Sequence, residues 1–228
     1  MPPGVVFAKT ILINRRLKIM ANYCSNSIVF FSKDKTKLSR FLRKVYAAYD
    51  SIGSGFYNLM VLHGYKNREI LSVIDKRDSF THCDTRLEQD KDTYSFRVDV
   101  ETAWEPHMAM FYKIIREKYS DAIQLVYMAE ECGSDLYVNS DKEGVYFSER
   151  YMVDCCHNGE YLKEYFDTYQ EAISWIKSEF GDIDINEYNS LKEIELKVEA
   201  SSGFDAGDFF NFHRFETEYA YDKERGAA

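Results

Sequence analysis

Between residues 22 and 139 the hydrophobic pattern changes repeatedly between the period of a strand and the period of a helix. Tyr23–Ser32 is apolar and β-rich, whereas Lys33–Asp50 carries apolar residues at helical spacing, with Asp34 placed as its N-cap. In Tyr94–Ala103 apolar residues alternate with polar ones, as in a strand with one buried face. This feature constrains the fold most, because it predicts the order β-α-insert-β-β-α-β.

The other elements of this region complete the order. Ser79–Glu88 is a predicted strand and is joined to Tyr94–Ala103 by a hairpin turn. Pro106 is placed to open the second helix, since proline at the first helical position loses no needed N–H. Ile123–Met128 is the closing strand. We therefore predict an α+β domain over residues 20–140, a ferredoxin-like split βαβ antiparallel sheet with helices on one face.

The remaining residues, 141–228, are predicted to form an acidic α+β extension that packs on this domain and has the order ββαβ. Asn158-Gly159 is a strong hairpin turn, because both residues tolerate positive φ. Thr168 and Glu171 have the spacing of a capping box. The extension either continues the first sheet or forms a second layer. Its elements are predicted at Val145–Cys155, Glu160–Phe166, Thr168–Phe180 and Lys192–Ala200, with Phe209–Tyr221 as a candidate last strand.

The first nineteen residues differ from the rest in charge. Residues 1–19 hold four basic groups and no acid, and the charges follow the apolar run, which is the wrong order for a signal peptide. We expect a leader that is flexible or vector-derived; the alternative is an added edge strand over Val5–Asn14. No run of eighteen apolar residues occurs in the chain, so no membrane-spanning helix is predicted.

The charge of the chain is unevenly distributed. The formal net charge is −9, but residues 1–128 hold 20 Lys and Arg against 14 Asp and Glu, whereas residues 129–228 hold 9 against 24. A segment of net charge −15 would repel a phosphate backbone, which argues against a nucleic-acid binder that uses its whole surface. Such a segment is suited to a basic protein partner.

The five cysteines show no disulfide-framework spacing, and two of them are adjacent in sequence. Reduced thiols in a cytoplasmic protein are the simplest interpretation of this pattern. The cysteines are Cys24, Cys83, Cys132, Cys155 and Cys156.

Two short segments contain residue types that bind zinc, namely His82-Cys83 and Cys156-His157. A metal site would form only if they met in space, and neighbours on a strand point to opposite faces. His63, His107 and His213 are interpreted as surface or core residues. Because the sequence has no nucleophile motif and no phosphate-binding loop, we predict no cofactor, and a metal-dependent enzyme remains one alternative.

The first predicted helix is the most basic stretch of the folded part. Lys37, Arg40, Arg43 and Lys44 are candidates for phosphate contacts to a nucleic acid. The alternative interpretation is a solvated face opposite a buried apolar stripe, which is the commoner role of a charge run.

A second candidate surface lies on the predicted strand Lys192–Ala200. Glu193, Glu195 and Glu199 would share one face of a strand at these positions. Spaced carboxylates of this kind imitate a row of phosphates, and we predict that they face a basic partner.

Three segments together resemble one family. MANYCSN opens the first predicted strand at Met20–Asn26, FRVDVETAWEPH spans Phe96–His107, and IQLVYMAEECGSDLYV spans Ile123–Val138. In this order they resemble the YubB ferredoxin-like domain family over residues 20–140. The family occurs in bacteria, plasmids and phages, and the resemblance implies no catalytic residues. In the motif, Trp104 would pack beneath the second helix as a staple.

These observations favour a cytoplasmic, non-enzymatic interaction or regulatory protein of a bacterial mobile element. It would act through an acidic surface on a basic protein partner, without contact to a membrane. The alternatives are a nucleic-acid-binding protein that uses the basic first helix and the metal-dependent enzyme.

Overall fold

The computed structural model describes residues 23–218, except residues 54, 75, 76, 202 and 206. The predicted leader, residues 1–19, lies outside this range. None of the helices over the described residues is long and apolar enough to cross a membrane. The strands are β1 Tyr23–Ser32, β2 Ser79–Cys83, β3 Glu88–Asp90, β4 Thr93–Ala103, β5 Gln124–Glu131, β6 Leu136–Asn139, β7 Tyr151–His157, β8 Glu160–Phe166 and β9 Phe209–Arg214. The helices are α1 Lys35–Tyr49, α2 Gly55–Leu62, α3 Asn67–Ile70, α4 Ala109–Tyr119, α5 Tyr169–Phe180 and α6 Leu191–Ser201.

The first sheet has the order β2-β4-β1-β5-β6, with β3 on the edge of β4, and its neighbouring strands are all antiparallel. β1 pairs with β4 along its whole length, from Tyr23 opposite Ala103 to Ser32 opposite Tyr94. β1 and β2 therefore run parallel with β4 between them, which is how a split βαβ unit arranges its strands. The α+β prediction is confirmed. The predicted strand Ser79–Glu88 is shorter, because the chain leaves the sheet after Cys83.

Helices α1, α2 and α4 cover one face of this sheet. Every second residue of a strand points to that face, and the apolar residues there form one core with the helices. Phe30 of β1 lies at the centre of the core and contacts three rings at centroid distances of 5.0–5.2 Å. These rings belong to Phe41, Phe96 and Phe111. Burial of each such side chain stabilises the fold by about 1.5–3 kcal/mol, so these rings strongly favour packing the helices on this face of the sheet.

The helix starts show one correct prediction and one wrong one. Asp34 caps α1 by accepting a hydrogen bond from the backbone N–H of Lys37 over 2.9 Å, as predicted. Pro106 does not open the second helix, because α4 begins at Ala109. Before it the chain makes a tight turn, in which the N–H of Glu105 donates to the carbonyl of Ala103 over 2.8 Å.

The second sheet has the order β8-β7-β9 and its own apolar core against α5 and α6. The predicted hairpin is confirmed: Asn158 and Gly159 both have positive φ between β7 and β8. The capping box of Thr168 and Glu171 is also present at the start of α5. The extension thus forms a second sheet, and a parallel bridge from Val138 to Glu216, two residues after β9, joins it to the first.

The strand predicted over Lys192–Ala200 is wrong, because these residues belong to α6. Ile194 and Val198 are buried, whereas Leu196 is 56 % exposed. Ile194 and Val198 are four residues apart, a spacing that puts both on one side of either a strand or a helix. A strand would also bury Leu196 on that side, whereas a helix turns it outward. The order of the extension is therefore ββααβ, not ββαβ.

Candidate docking groove

An open groove of about 1150 Å³ lies where β6 of the first sheet meets β9 of the second. The backbone joins the two sheets beside it: the N–H of Asn139 donates to the carbonyl of Glu216 over 2.8 Å, and the N–H of Glu216 donates to Tyr137 over 2.9 Å. Met128, Met152 and the ring of Phe215 pack around Tyr137 behind this junction. The groove is therefore built from segments that are far apart in sequence.

The groove is acidic. Of the lining residues that the structure describes, Lys192, Arg214 and His213 are basic. Lys192 is engaged by Glu195 at 2.8 Å, so it does not offset the other carboxylates. Glu218 pairs with Lys142 from the neighbouring loop. Among the described residues, six carboxylates line the groove, those of Glu105, Asp135, Asp154, Glu195, Glu216 and Glu218.

His213 lies between two of these carboxylates. Its Nδ1 is 3.1 Å from Oδ1 of Asp135, and its Nε2 is 3.4 Å from Oδ1 of Asp154. The ring stacks on Tyr137, with centroids 4.0 Å apart and an angle of 24° between the planes. His213 was interpreted from sequence as a surface or core residue, because nothing in the sequence links it to Asp135 and Asp154.

Asp154 is buried, with 6 % of the residue exposed, yet it lines the groove. Its Oδ1 has no hydrogen-bond partner among the described residues, although Nε2 of His213 faces it. Burial acts to raise the pKa of this carboxyl, but the neighbouring His213, Asn211 and Lys163 side chains outweigh it and hold the pKa below its usual value. Asp154 therefore contributes a full negative charge to the wall of the groove.

Trp104 is the exposed aromatic of the groove. It is 42 % exposed and does not pack beneath α4, so the staple prediction is wrong. Its φ of 70° turns the chain between β4 and α4, and the side chain lines the groove instead. The guanidinium of Arg77 lies over its ring, 5.8 Å from the centroid.

The residues predicted as metal ligands do not come together. His82 is exposed, whereas Cys83 is buried in the core on the opposite face of β2. Cys156 and His157 lie in the second sheet, where His157 stacks on Phe204 with centroids 4.7 Å apart. No group of three or more His, Cys, Asp or Glu in the described part of the chain could hold a metal ion.

The three glutamates predicted to share a strand face have separate roles on α6. Hydrogen bonds from Ser190 lower the pKa of Glu193. The Glu193 carboxylate accepts from the backbone N–H of Ser190, the residue before α6, and so caps the start of the helix. Glu195 is buried and accepts a hydrogen bond from the backbone N–H of Phe212 over 3.0 Å. Glu199 is exposed. Of the three, only Glu195 lines the groove.

The four basic candidates lie on α1, on the helical face of the first sheet. Lys37 donates to the carbonyl of Tyr119 over 3.4 Å, and Lys44 to the carbonyl of Leu62 over 2.8 Å. Arg40 and Arg43 are exposed. Burial, followed by the charges of Arg40 and Lys118, lowers the pKa of Lys44. These cations therefore form a basic patch at the surface of α1 and α4.

No family model matches the chain, and no curated protein matches it in sequence. The resemblance of residues 20–140 to the YubB family therefore stays a prediction. The groove and the basic patch are the features from which a function can be inferred.

Proposed function

We propose that this chain is a non-enzymatic interaction protein that docks a basic segment of a protein partner in its acidic groove. The observation that carries the proposal is the composition of the groove over the described residues. It has one exposed tryptophan and six carboxylates, among them the buried Asp154, whose Oδ1 has no hydrogen bond within that part of the chain. A concave surface lined by one sign of charge concentrates ligands of the opposite sign and speeds their association. Lysine and arginine side chains are the protein groups that meet this description.

The position of His213 supports docking over acid–base catalysis. A general base must present a ring nitrogen to its substrate. Here both ring nitrogens face carboxylates, those of Asp135 and Asp154, and the ring is stacked on Tyr137. The histidine is thus a structural part of the groove wall.

The setting of the protein belongs to the same proposal. All five cysteines are free, which fits a reducing compartment, and we place the protein in the cytoplasm. The resemblance to the YubB family suggests a bacterial mobile element, whose product would act on a basic, nucleic-acid-handling protein. An acidic groove is suited to compete with nucleic acid for such a partner.

A titration of a fluorescently labelled peptide of alternating lysine and glycine tests the proposal. The double variant Glu105→Gln/Glu216→Gln removes two groove charges and is expected to weaken binding about tenfold, since each rim charge contributes roughly 0.5–1 kcal/mol. The matched control Glu88→Gln/Glu199→Gln removes two exposed charges outside the groove and is expected to change binding less than twofold. Equal weakening in both variants, or no binding to the unmodified protein, contradicts the proposal.

A second candidate function is nucleic-acid binding through the basic patch. The charges of Arg40 and Lys118 act on Lys44, and none of the three has a carboxylate in ion-pair contact within the described residues. A phosphate would relieve this repulsion. Retention on DNA that falls steeply between about 50 and 200 mM salt, and is lost in Arg40→Glu/Lys44→Glu, would support this function. Retention that survives the double substitution would exclude it.

A further inference from the structure

Trp104 sits at the centre of a strained turn. The hydrogen bond from the N–H of Glu105 to the carbonyl of Ala103 closes a three-residue γ-turn around it, and its φ is 70°. Positive φ is rare for a bulky residue, and a γ-turn of this hand is a high-energy conformation. Strain of this kind persists only where the surrounding structure holds it in place.

Side chains on both sides hold the turn. The hydroxyl of Thr102, which is fully buried, donates to the carbonyl of Glu105 over 2.7 Å. His107 is fixed by the buried carboxylate of Asp78, whose two oxygens lie 2.9 and 3.0 Å from Nδ1. The turn is therefore rigid, and it presents the indole of Trp104 to the groove in a fixed position.

The surroundings of the indole are those of a guanidinium site. Arg77 already places its guanidinium over the ring at 5.8 Å, so the ring accepts this group within the chain itself. Carboxylates of Glu105 and Asp135 line the same groove. The buried Asp154, with Oδ1 lacking a hydrogen bond within the described chain, adds negative potential to the wall.

We infer that Trp104 is the anchoring contact of the groove and that it binds an arginine side chain of the basic partner. The partner's guanidinium takes the place of Arg77 over the indole, and its N–H groups donate to the carboxylates of Glu105 and Asp135. Arginine is favoured over lysine, because its planar group stacks on an aromatic ring, is weakly hydrated and donates two parallel hydrogen bonds to one carboxylate. This inference rests on the proposed function of the groove.

Two peptides of equal length and charge test the inference, one with arginines and one with lysines at the same positions between glycines. The unmodified protein is expected to bind the arginine peptide about threefold to tenfold more tightly. Trp104→Leu is expected to bind both peptides equally and weakly, whereas Trp104→Phe retains part of the preference. Tyr188→Leu is the matched control, since Tyr188 is an aromatic residue that is 88 % exposed and is not part of the groove lining, and it is expected to keep the full preference.

The outcomes separate the inference from the proposed function. If the unmodified protein binds neither peptide, the docking function itself is wrong. If it binds both with equal affinity, or if Trp104→Leu keeps the preference for arginine, the groove docks basic segments but the anchoring role of Trp104 is overturned. Circular dichroism of each variant checks that the fold is retained.

Discussion

The hydroxyl of Tyr119 donates a hydrogen bond to Nε2 of His63 over 3.0 Å, in the core beneath the basic patch. Nδ1 of the same ring lies 2.8 Å from the carbonyl oxygen of Leu59, which can only accept, so Nδ1 carries the proton. The neutral ring is thus satisfied on both sides. Burial, assisted by the charges of Lys44 and Lys118, lowers the pKa of His63 to about 4.

This arrangement predicts a loss of stability in acid. The unfolded chain binds a proton at His63 near pH 6.5, whereas the folded chain does so only near pH 4. The neutral His63 therefore makes its full contribution to the free energy of unfolding above pH 6.5. This contribution declines by roughly 3 kcal/mol as the pH falls to about 4. Urea denaturation at a series of pH values measures this loss, and His63→Gln is expected to flatten the curve over that interval. An unchanged pH dependence in His63→Gln would refute the assignment.

The turn between β7 and β8 predicts a backbone effect. Gly159 has a φ of +79°, and a Cβ placed there meets no atom within 4 Å. Gly159→Ala is therefore expected to destabilise the protein by about 1–2 kcal/mol through backbone strain alone. Thermal denaturation measures the change, and Asn158→Gly, at a φ of 53°, serves as the control that should be neutral or slightly stabilising. A neutral Gly159→Ala would mean that the turn is not formed as described.

Glu195 and Glu199 are expected to differ sharply although both lie on α6. Removing the Glu195 carboxylate leaves the buried N–H of Phe212 without its acceptor, so Glu195→Ala should cost about 1–3 kcal/mol. Glu195→Gln keeps an acceptor oxygen and should cost less. Glu199→Ala is expected to change the free energy of unfolding by under about 0.5 kcal/mol. Similar losses in Glu195→Ala and Glu199→Ala would favour an exposed acidic row over the helix described above.

The cysteines are expected to react at different rates with a thiol reagent at neutral pH. Burial raises the pKa of Cys24 and of Cys83 to about 12 and that of Cys155 to about 11. Cys132 is exposed at the groove, and Cys156 is half-buried. One thiol of the native protein should therefore react rapidly with the reagent, and Cys132→Ser should remove this rapid phase of the reaction. A fast phase that persists in this variant would contradict the burial pattern.

Local signals in the sequence predicted local structure well. The cap at Asp34, the capping box at Thr168 and the Asn158-Gly159 turn each depend on residues within four positions, and all three are present. The pattern failed at Lys192–Ala200, where Ile194 and Val198 fit two periods at once. The packing of these residues against β9 favours the helix, and this contact cannot be read from the sequence of the segment itself.

The groove was not predictable by the same means. His213 lies on β9, Asp154 on β7 and Asp135 directly before β6. The pairing of β7 with β9 and of β6 with the chain after β9 brings them together. The resemblance to the YubB family predicted that Trp104 packs beneath the helix that follows its Trp-x-Pro motif. The γ-turn is held by a local hydrogen bond from Thr102 and by the long-range contact of Asp78 with His107, and it directs Trp104 to the groove instead.

Chemical-shift mapping shows whether a basic peptide binds in the groove at Trp104. A nitrogen-labelled sample is titrated with an arginine-containing basic peptide, and the amide and indole N–H signals are followed. The largest changes are expected at the indole of Trp104 and at the amides of Asp135, Tyr137 and Glu216. Changes confined to α1 or α6, or the absence of any change at saturating peptide, would contradict it.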